Sequence, residues 1–282
     1  MKKVVFGIAA LIILLSGLAF SQDSQETSEK SEHLSAVQII ENSQLAFYYQ
    51  GNDMKVDVIM ELIAKGGGKR TRVMTMLRRN ETEGRNQKYF IYFYKPSDVR
   101  RMTFMVWKYP TEDDDRWIFV PAVDLIRRIA ADDKRSSFVG SDFTYEDVSG
   151  RDVASDTHSL LRSEKLADRD CYVIESIPQE STEYIKRLSW IDKKTFLPLK
   201  EEYYDAQNEL FRVFTADNIE DIKVGQGTAE NIFPTITRRT MKNLKTGHHT
   251  EVVYKSVSYN LGLKDKDFSE RHMRRPPRSW IR

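Results

Sequence analysis

From residue 53 onward the chain is written with a period of two. In residues 53–62, Met54, Val56, Val58, Met60 and Leu62 alternate with Asp53, Lys55, Asp57 and Glu61. That spacing puts the apolar set on one side of a pleated strand and the charged set on the other. Residues 70–79, 88–94, 99–107 and 116–120 continue as short runs rich in aromatic and β-branched side chains, bounded by turn residues such as Lys95-Pro96-Ser97-Asp98. Residues 158–166, 171–177, 184–191, 199–204, 210–216, 219–224, 235–243 and 251–259 read the same way. More than ten strands with no long helix between them predict a mainly β fold. The expected form is a curved antiparallel sheet making an incomplete β-barrel, with short helices over the open side.

The stretches that break this period are few. Ser35 followed three residues later by Gln38 fits a capping box. It opens a helix whose Val37, Ile40, Phe47 and Tyr48 share one side and which Gly51-Asn52 ends. Residues 121–150 interrupt the strands. There, 123–129 reads as a short strand, and 141–148 as one or two helical turns with Ser141 as cap and Asp142 in the first turn. A short helix is expected at 265–268, ahead of a basic tail at 271–278. That tail reads as a solvated, frayed terminus, or else as a contact for anionic headgroups or a protein partner. Gly66-Gly67-Gly68 reads as a hairpin turn. A phosphate-cradling loop needs a helix after it, and here a strand follows.

Ahead of the folded region, Lys2 and Lys3 precede an uncharged apolar run at 4–20, and Ala19-Phe20-Ser21 places small residues at the −3 and −1 positions. This is the pattern of a secretory signal peptide, residues 1–21, cleaved after Ser21. Residues 22–34, nearly free of apolar side chains, are expected to form a disordered tether. Residues 35–282 are expected to form a single domain. No cysteine follows the apolar run, so no lipid anchor is expected there. Of 44 basic residues, 42 remain without the two leader lysines, against 42 acidic ones. Zero net charge argues against nucleic acid as a partner.

Catalytic signals are weak. His33, His158, His248, His249 and His272 form no metal-ligand spacing. Glu112-Asp113-Asp114-Asp115 lacks the spaced ligands of a calcium loop and reads as a hairpin tip. There is no G-x-S-x-G elbow, and Cys171, alone in a strand-like run, reads as a buried inert thiol. No catalytic residue, metal or cofactor is expected. Six of the eight methionines after the leader lie between residues 54 and 105, interleaved with aromatics. Methionine suits surfaces that accept variable apolar ligands. Met60, Met74, Met76, Met102, Phe104, Trp117 and Phe119 are the candidate lining of an apolar cavity.

Residues 107–148 carry a more specific signal. Trp107, Tyr109-Pro110, the run Asp115-Arg116-Trp117-Ile118-Phe119-Val120-Pro121-Ala122, then Arg127-Arg128-Ile129 and Ser137-Phe138-Val139-Gly140-Ser141-Asp142-Phe143-Thr144-Tyr145-Glu146-Asp147 follow in order. With Asp267-Phe268-Ser269-Glu270-Arg271 near the end, this pattern resembles the outer membrane lipoprotein-sorting protein family, relatives of the LolA/LolB-like carriers, over residues 35–275. The resemblance implies a half-open barrel without enzymatic chemistry that carries lipid or lipoprotein acyl chains across a periplasm. Residues 141–148 would be its cover, with Phe143 and Tyr145 turned inward. Ser141, Asp142, Glu146 and Asp147 would be structural, capping and packing against Arg127-Arg128. The second reading is a periplasmic adaptor or sensor on the same scaffold, bound to an inner-membrane transporter of the resistance-nodulation-division type or to an outer-membrane acceptor. A monomer is expected in either case. N-terminal sequencing of the exported protein is expected to begin at Gln22; an intact Met1 terminus would show a retained anchor.

Overall fold

The computed structural model describes residues 34–81, 85–110, 112–226 and 230–281. The expected leader, and residues 22–33 of the expected tether, lie outside them. The strands are β1 (Asp53–Ile63), β2 (Lys69–Asn80), β3 (Gln87–Lys95), β4 (Thr103–Lys108), β5 (Asp115–Val120), β6 (Leu125–Ile129), β7 (Asp156–Leu166), β8 (Arg169–Pro178), β9 (Lys186–Asp192), β10 (Pro198–Tyr204), β11 (Leu210–Val224), β12 (Asn231–Asn243) and β13 (His249–Tyr259). All pair antiparallel in one sheet ordered β6-β5-β4-β3-β2-β1-β13-β12-β11-β10-β9-β8-β7. Every neighbour in that order is also a neighbour in sequence, except that β1 pairs β13, from Met54 opposite Tyr259 to Ile63 opposite His249. The two edges are therefore β6 and β7, and they are joined by the chain between them.

Alternation decides what each face holds. Met54, Val56, Val58 and Met60 on β1, Met74 and Met76 on β2, Tyr89, Ile91 and Phe93 on β3, and Phe104 on β4 are buried in one cluster with Phe211, Phe214, Ile236 and Met241 from the far strands. A flat sheet cannot gather side chains from strands that far apart, so this face is the concave one. The opposite face buries Leu77, Phe90, Met105 and Phe119 beneath Leu263, Phe268, Met273 and Ile281. The basic tail is thus not a frayed end. The helix α3 (Glu270–Arg274) lies in it, the Met273 carbonyl accepts from Thr103 Oγ1 at 3.1 Å, and the Trp107 indole donates to the Phe268 carbonyl at 3.1 Å. The arginines stay outward while the apolar residues between them cover the sheet.

Four expected elements differ. Residues 210–216 and 219–224 are one strand, β11, with register shifts at Ala216, Asn218 and Ile219. Asp217-Asn218 looks like a turn, but Asp217 accepts from the Thr215 and Thr240 hydroxyls at 2.8 and 2.5 Å and so holds a bulge within the ladder. Residues 99–102 belong to a turn, not to a strand, with Arg101 at φ 66°. Val99 is nevertheless buried in the concave core, which is why its side chain reads as part of a strand. Before β6, Pro121–Val123 forms one 3₁₀ turn. Ser141 does not cap a helix. The helix is α2 (Tyr145–Ser149), capped by Thr144 in a reciprocal box with Asp147.

At the start of the domain, the helix α1 (Ala36–Tyr48) begins with the expected box: Ser35 Oγ accepts from Gln38 N at 3.2 Å and Gln38 Oε1 from Ser35 N at 2.8 Å. Its buried face is Ile39, Ile40 and Ser43, whereas Val37 is 45% exposed. Ile39 and Ile40 pack on Ile174 and Ile191 of β8 and β9. Cys171 is fully buried, as expected, and burial pushes its thiol pKa up. Replacing the fully buried Phe104 with alanine is expected to cost about 3–5 kcal/mol of stability, read as a lower denaturant midpoint at unchanged slope.

Candidate functional site

The chain between the two edge strands, residues 130–155, runs across the concave face and acts as a strap. Its middle folds back on itself: Phe138 N donates to the Phe143 carbonyl at 2.7 Å and Tyr145 N to the Ser136 carbonyl at 3.2 Å. Val139 and Gly140 at the bend have positive φ, 52° and 79°. This hairpin turns Phe138, Phe143 and Tyr145 onto the sheet, where they are 1%, 5% and 8% exposed. Phe138 stands edge-on to Phe104 at 5.4 Å and to Tyr145 at 5.4 Å, and Tyr145 lies 5.1 Å from Phe104. The strap's rings thus cover the apolar concave surface.

Polar contacts hold the strap at both ends. At the bend, Asp142 Oδ2 accepts from Thr250 Oγ1 at 2.7 Å and Asp142 N donates back to that oxygen at 3.0 Å. The same carboxylate lies 2.6 Å from His248 Nδ1. At the C-terminal end, Lys108 Nζ donates to the Gly150 carbonyl at 2.8 Å. Arg151 binds Asp156 at 2.7 Å and Glu146 at 3.1 Å. The polar side chains expected to face Arg127-Arg128 bond elsewhere, Asp142 to Thr250 and His248, Glu146 to Arg151 and Asp147 to Arg212, and Arg128 pairs with Asp115.

Two cavities lie between α1, the strap and the sheet. The first, with a volume of about 70 Å³, is flanked by β9–β12. Its wall is ionic. Arg151 is paired as above. Arg187 lies 3.5 Å from Glu201 and 3.8 Å from Asp156. Arg212 lies 3.0 Å from Glu183 and 3.4 Å from Asp147, with its guanidinium 4.1 Å over the Tyr203 ring. Burial opposes charge on Arg187 and Arg212, but the surrounding carboxylates outweigh it and raise both pKa values. Tyr203 donates to Glu201 at 2.7 Å, and burial pushes its pKa well up. The second cavity, about 50 Å³, shares Phe47, Tyr48, Asp147 and Arg239 with the first and is otherwise mostly apolar, with Met54, Met76, Val148, Leu197 and Ile236.

The residues expected to line a cavity divide between the faces. Met60, Met74, Met76 and Phe104 are on the concave side, with Met102 packed against it. Phe119 and Trp117 are on the opposite side, beneath the C-terminal segment. Of the seven, Met76 borders a cavity as the strap now lies; Phe104 and its neighbours are covered. Phe143 borders the first cavity, and Tyr145 is packed into the cluster. The ionic wall was not legible as a site. Arg151, Arg187, Arg212 and Arg239 come from four separate segments, and in a chain so rich in charge nothing marks them out. Among the described residues no His, Cys, Asp or Glu cluster is arranged for a metal, and no helix is long and apolar enough to cross a membrane.

Two measurements probe the strap. Asp142→Ala is expected to lower the opening free energy of residues 136–149 by about 1.5–3 kcal/mol, seen as faster amide exchange confined to that segment. His158 on β7 holds the strap's far end: its Nε2–H donates to the Val153 carbonyl at 3.0 Å, leaving Nδ1 to accept from Ser176 Oγ at 2.8 Å. Burial lowers its pKa below the ordinary value. The folded form therefore takes up the proton less readily than the unfolded chain, so this contribution to stability holds above about pH 6.5 and is lost as pH falls below it. His158→Gln is expected to reduce the fall in Tm between about pH 7.5 and about pH 5.

Comparison with known proteins places this architecture. A family model described as "-like: Uncharacterized protein" matches residues 85–275. No curated protein sequence matches the chain. Among solved structures, a domain named for outer membrane lipoprotein sorting from Vibrio parahaemolyticus is 28% identical, with a TM-score of 0.74 over 85% of this chain and 98% of its own. A DUF1329 family protein from Desulfovibrio piger is 26% identical, with a TM-score of 0.74 over 85% of this chain and 100% of its own. A LolA superfamily protein from Nitrosomonas europaea, 22% identical with a TM-score of 0.63 over 85% of this chain and 100% of its own, shares the fold. The chain belongs to the family whose model spans residues 85–275, and it is similar in fold, over nearly their whole lengths, to the domain named for outer membrane lipoprotein sorting and to the DUF1329 protein.

Proposed function

We propose that this protein is a periplasmic carrier that shields lipid or lipoprotein acyl chains on its concave face while they move between membranes. One observation carries the reading. The concave face is a continuous apolar surface, Met54, Met60, Met74, Met76 and Phe104 among it, and its cover is a strap that belongs to no strand ladder of the sheet and is tied down by a few polar contacts. When the strap lifts, an acyl chain takes the place of Phe138 and Tyr145. Each buried CH₂ is worth about 0.8 kcal/mol, so a long chain competes well with the two rings. Methionine, flexible along its whole length, accommodates a chain that has no fixed shape.

The same cover keeps affinity moderate. A ligand that binds the open form alone has its apparent affinity reduced by the fraction of molecules that are open. A carrier that must hand its cargo on benefits from such a tax. The similar structure named for outer membrane lipoprotein sorting supports this reading.

Displacement of a fluorescent fatty acid tests it, with native mass spectrometry of the purified protein for retained lipid. Phe138→Ala, which empties part of the plug, is expected to tighten fatty-acid binding several-fold even as it lowers stability. A folded Phe138→Ala protein that binds no acyl chain would show the concave face to be an ordinary core.

A further inference from the structure

Arg239 of β12 is unlike the buried arginines around it. Arg151, Arg187 and Arg212 each have two carboxylates within 4.0 Å. Among the described residues, Arg239 has neither a carboxylate within that distance nor a hydrogen-bond partner. Its guanidinium instead sits among rings, 4.7 Å from the centre of Tyr254, 5.6 Å from Phe47 and 5.9 Å from Phe143. It borders both cavities.

A second cation borders the apolar cavity. Arg78 is 2% exposed and donates to the Gln50 carbonyl, and its Nε is buried with no partner. It too has no carboxylate within reach among the described residues. Among the described residues the one acid on that cavity wall, Asp147, is already engaged by Arg212 and by the Thr144 amide at 2.8 Å. The second cavity therefore carries two positive charges that no group among the described residues neutralises. Uncompensated charge in a half-dry apolar pocket is costly, and an anion that enters it recovers that cost.

The apolar part of the same wall says what the anion is attached to. Met54 and Met76 line the cavity, and Met76 continues through Met74 along the concave side of β2 toward the strap. We infer that the second cavity binds the carboxylate or phosphate headgroup of an acylated amphiphile against Arg239, with Arg78 as the second cation, its chain lying along the methionine track. This rests on the carrier reading and narrows it. A neutral acyl ester makes no use of these charges, whereas a fatty acid or phospholipid does. Arg239, held against Phe47 of α1, Phe143 of the strap and Tyr254 of β13, also couples headgroup binding to the position of the strap through Phe143.

Calorimetry on the full exported chain tests this with four probes: hexadecanoate, hexadecyl phosphate, hexadecanol and inorganic phosphate. The two anionic amphiphiles are expected to bind at least roughly tenfold tighter than the alcohol, the scale of one charge-assisted hydrogen bond. Arg239→Gln is expected to bring them down to the level of the alcohol. Arg239→Met, which keeps the stem over the rings, should do the same and serves if Arg239→Gln does not fold, whereas Arg239→Lys should retain part of the preference. Equal binding of all three amphiphiles by the unaltered protein would overturn the headgroup inference and leave the carrier reading standing. Binding of inorganic phosphate alone with the same dependence on Arg239 would overturn it in favour of a free-anion site. No binding of any amphiphile would overturn both.

Discussion

A sheet that curls but does not close has an inner face it cannot cover with its own strands, and that constraint shapes the rest of this molecule. Closing the gap between β6 and β7 would bury the concave surface completely, as in a sealed barrel. Leaving it open exposes Phe104 and the methionines unless something else lies on them. The strap does so with Phe138, Phe143 and Tyr145. Because it crosses from one edge strand to the other, it covers the opening and the apolar surface at once. Its attachment is of a different kind from the sheet's. Strands are held by ladders, which open cooperatively; the strap is held by a short bend, one helical turn and a handful of charged contacts, which open locally.

The interior is divided by chemistry. On the β1–β5 side it is apolar and filled by rings. On the β9–β12 side, Arg151, Arg187 and Arg212 are interlocked with Glu146, Asp147, Asp156, Glu183 and Glu201. Buried ion pairs of this kind add little net stability, because desolvation offsets their attraction, but removing one partner is expensive. Their effect is to fix position: Glu146 and Asp147 belong to the strap, so the network sets where the strap rests. The junction of the two zones is where α1 brings Phe47 and Tyr48 against Arg239.

Much of the architecture was legible because alternation is a local property. Met54 through Leu62 declare a strand without reference to anything else, and Ser35 with Gln38 declares a helix start. What was hidden is what depends on partners distant in sequence. Parity along β5 separates Ile118 from Trp117 and Phe119, but parity alone does not say which side is concave; the C-terminal segment settles that by covering Phe119. Asp217-Asn218 has turn chemistry and is a bulge, because Thr240 on the neighbouring strand completes its hydrogen bonds. Ser141 and Thr144 are equivalent as caps in composition, and Asp147, three residues after Thr144, decides between them. The ionic wall was hidden for the same reason: each arginine finds its carboxylates across the fold.

The pairing of β1 with β13 has a kinetic consequence. Every other strand pair joins sequence neighbours, so the six strands on one side of that seam and the seven on the other can form as hairpins with little loop-closure cost. The β1–β13 ladder joins residues near opposite ends of the domain, Met54 to Tyr259. It therefore pays the full entropy of closing almost the whole chain and is the contact of highest sequence separation in the sheet. Without it the sheet is two separate meanders, neither of which can assemble the shared concave core. A chain emerging amino end first thus keeps its two halves apart until β13 arrives, and the concave core they share is completed last.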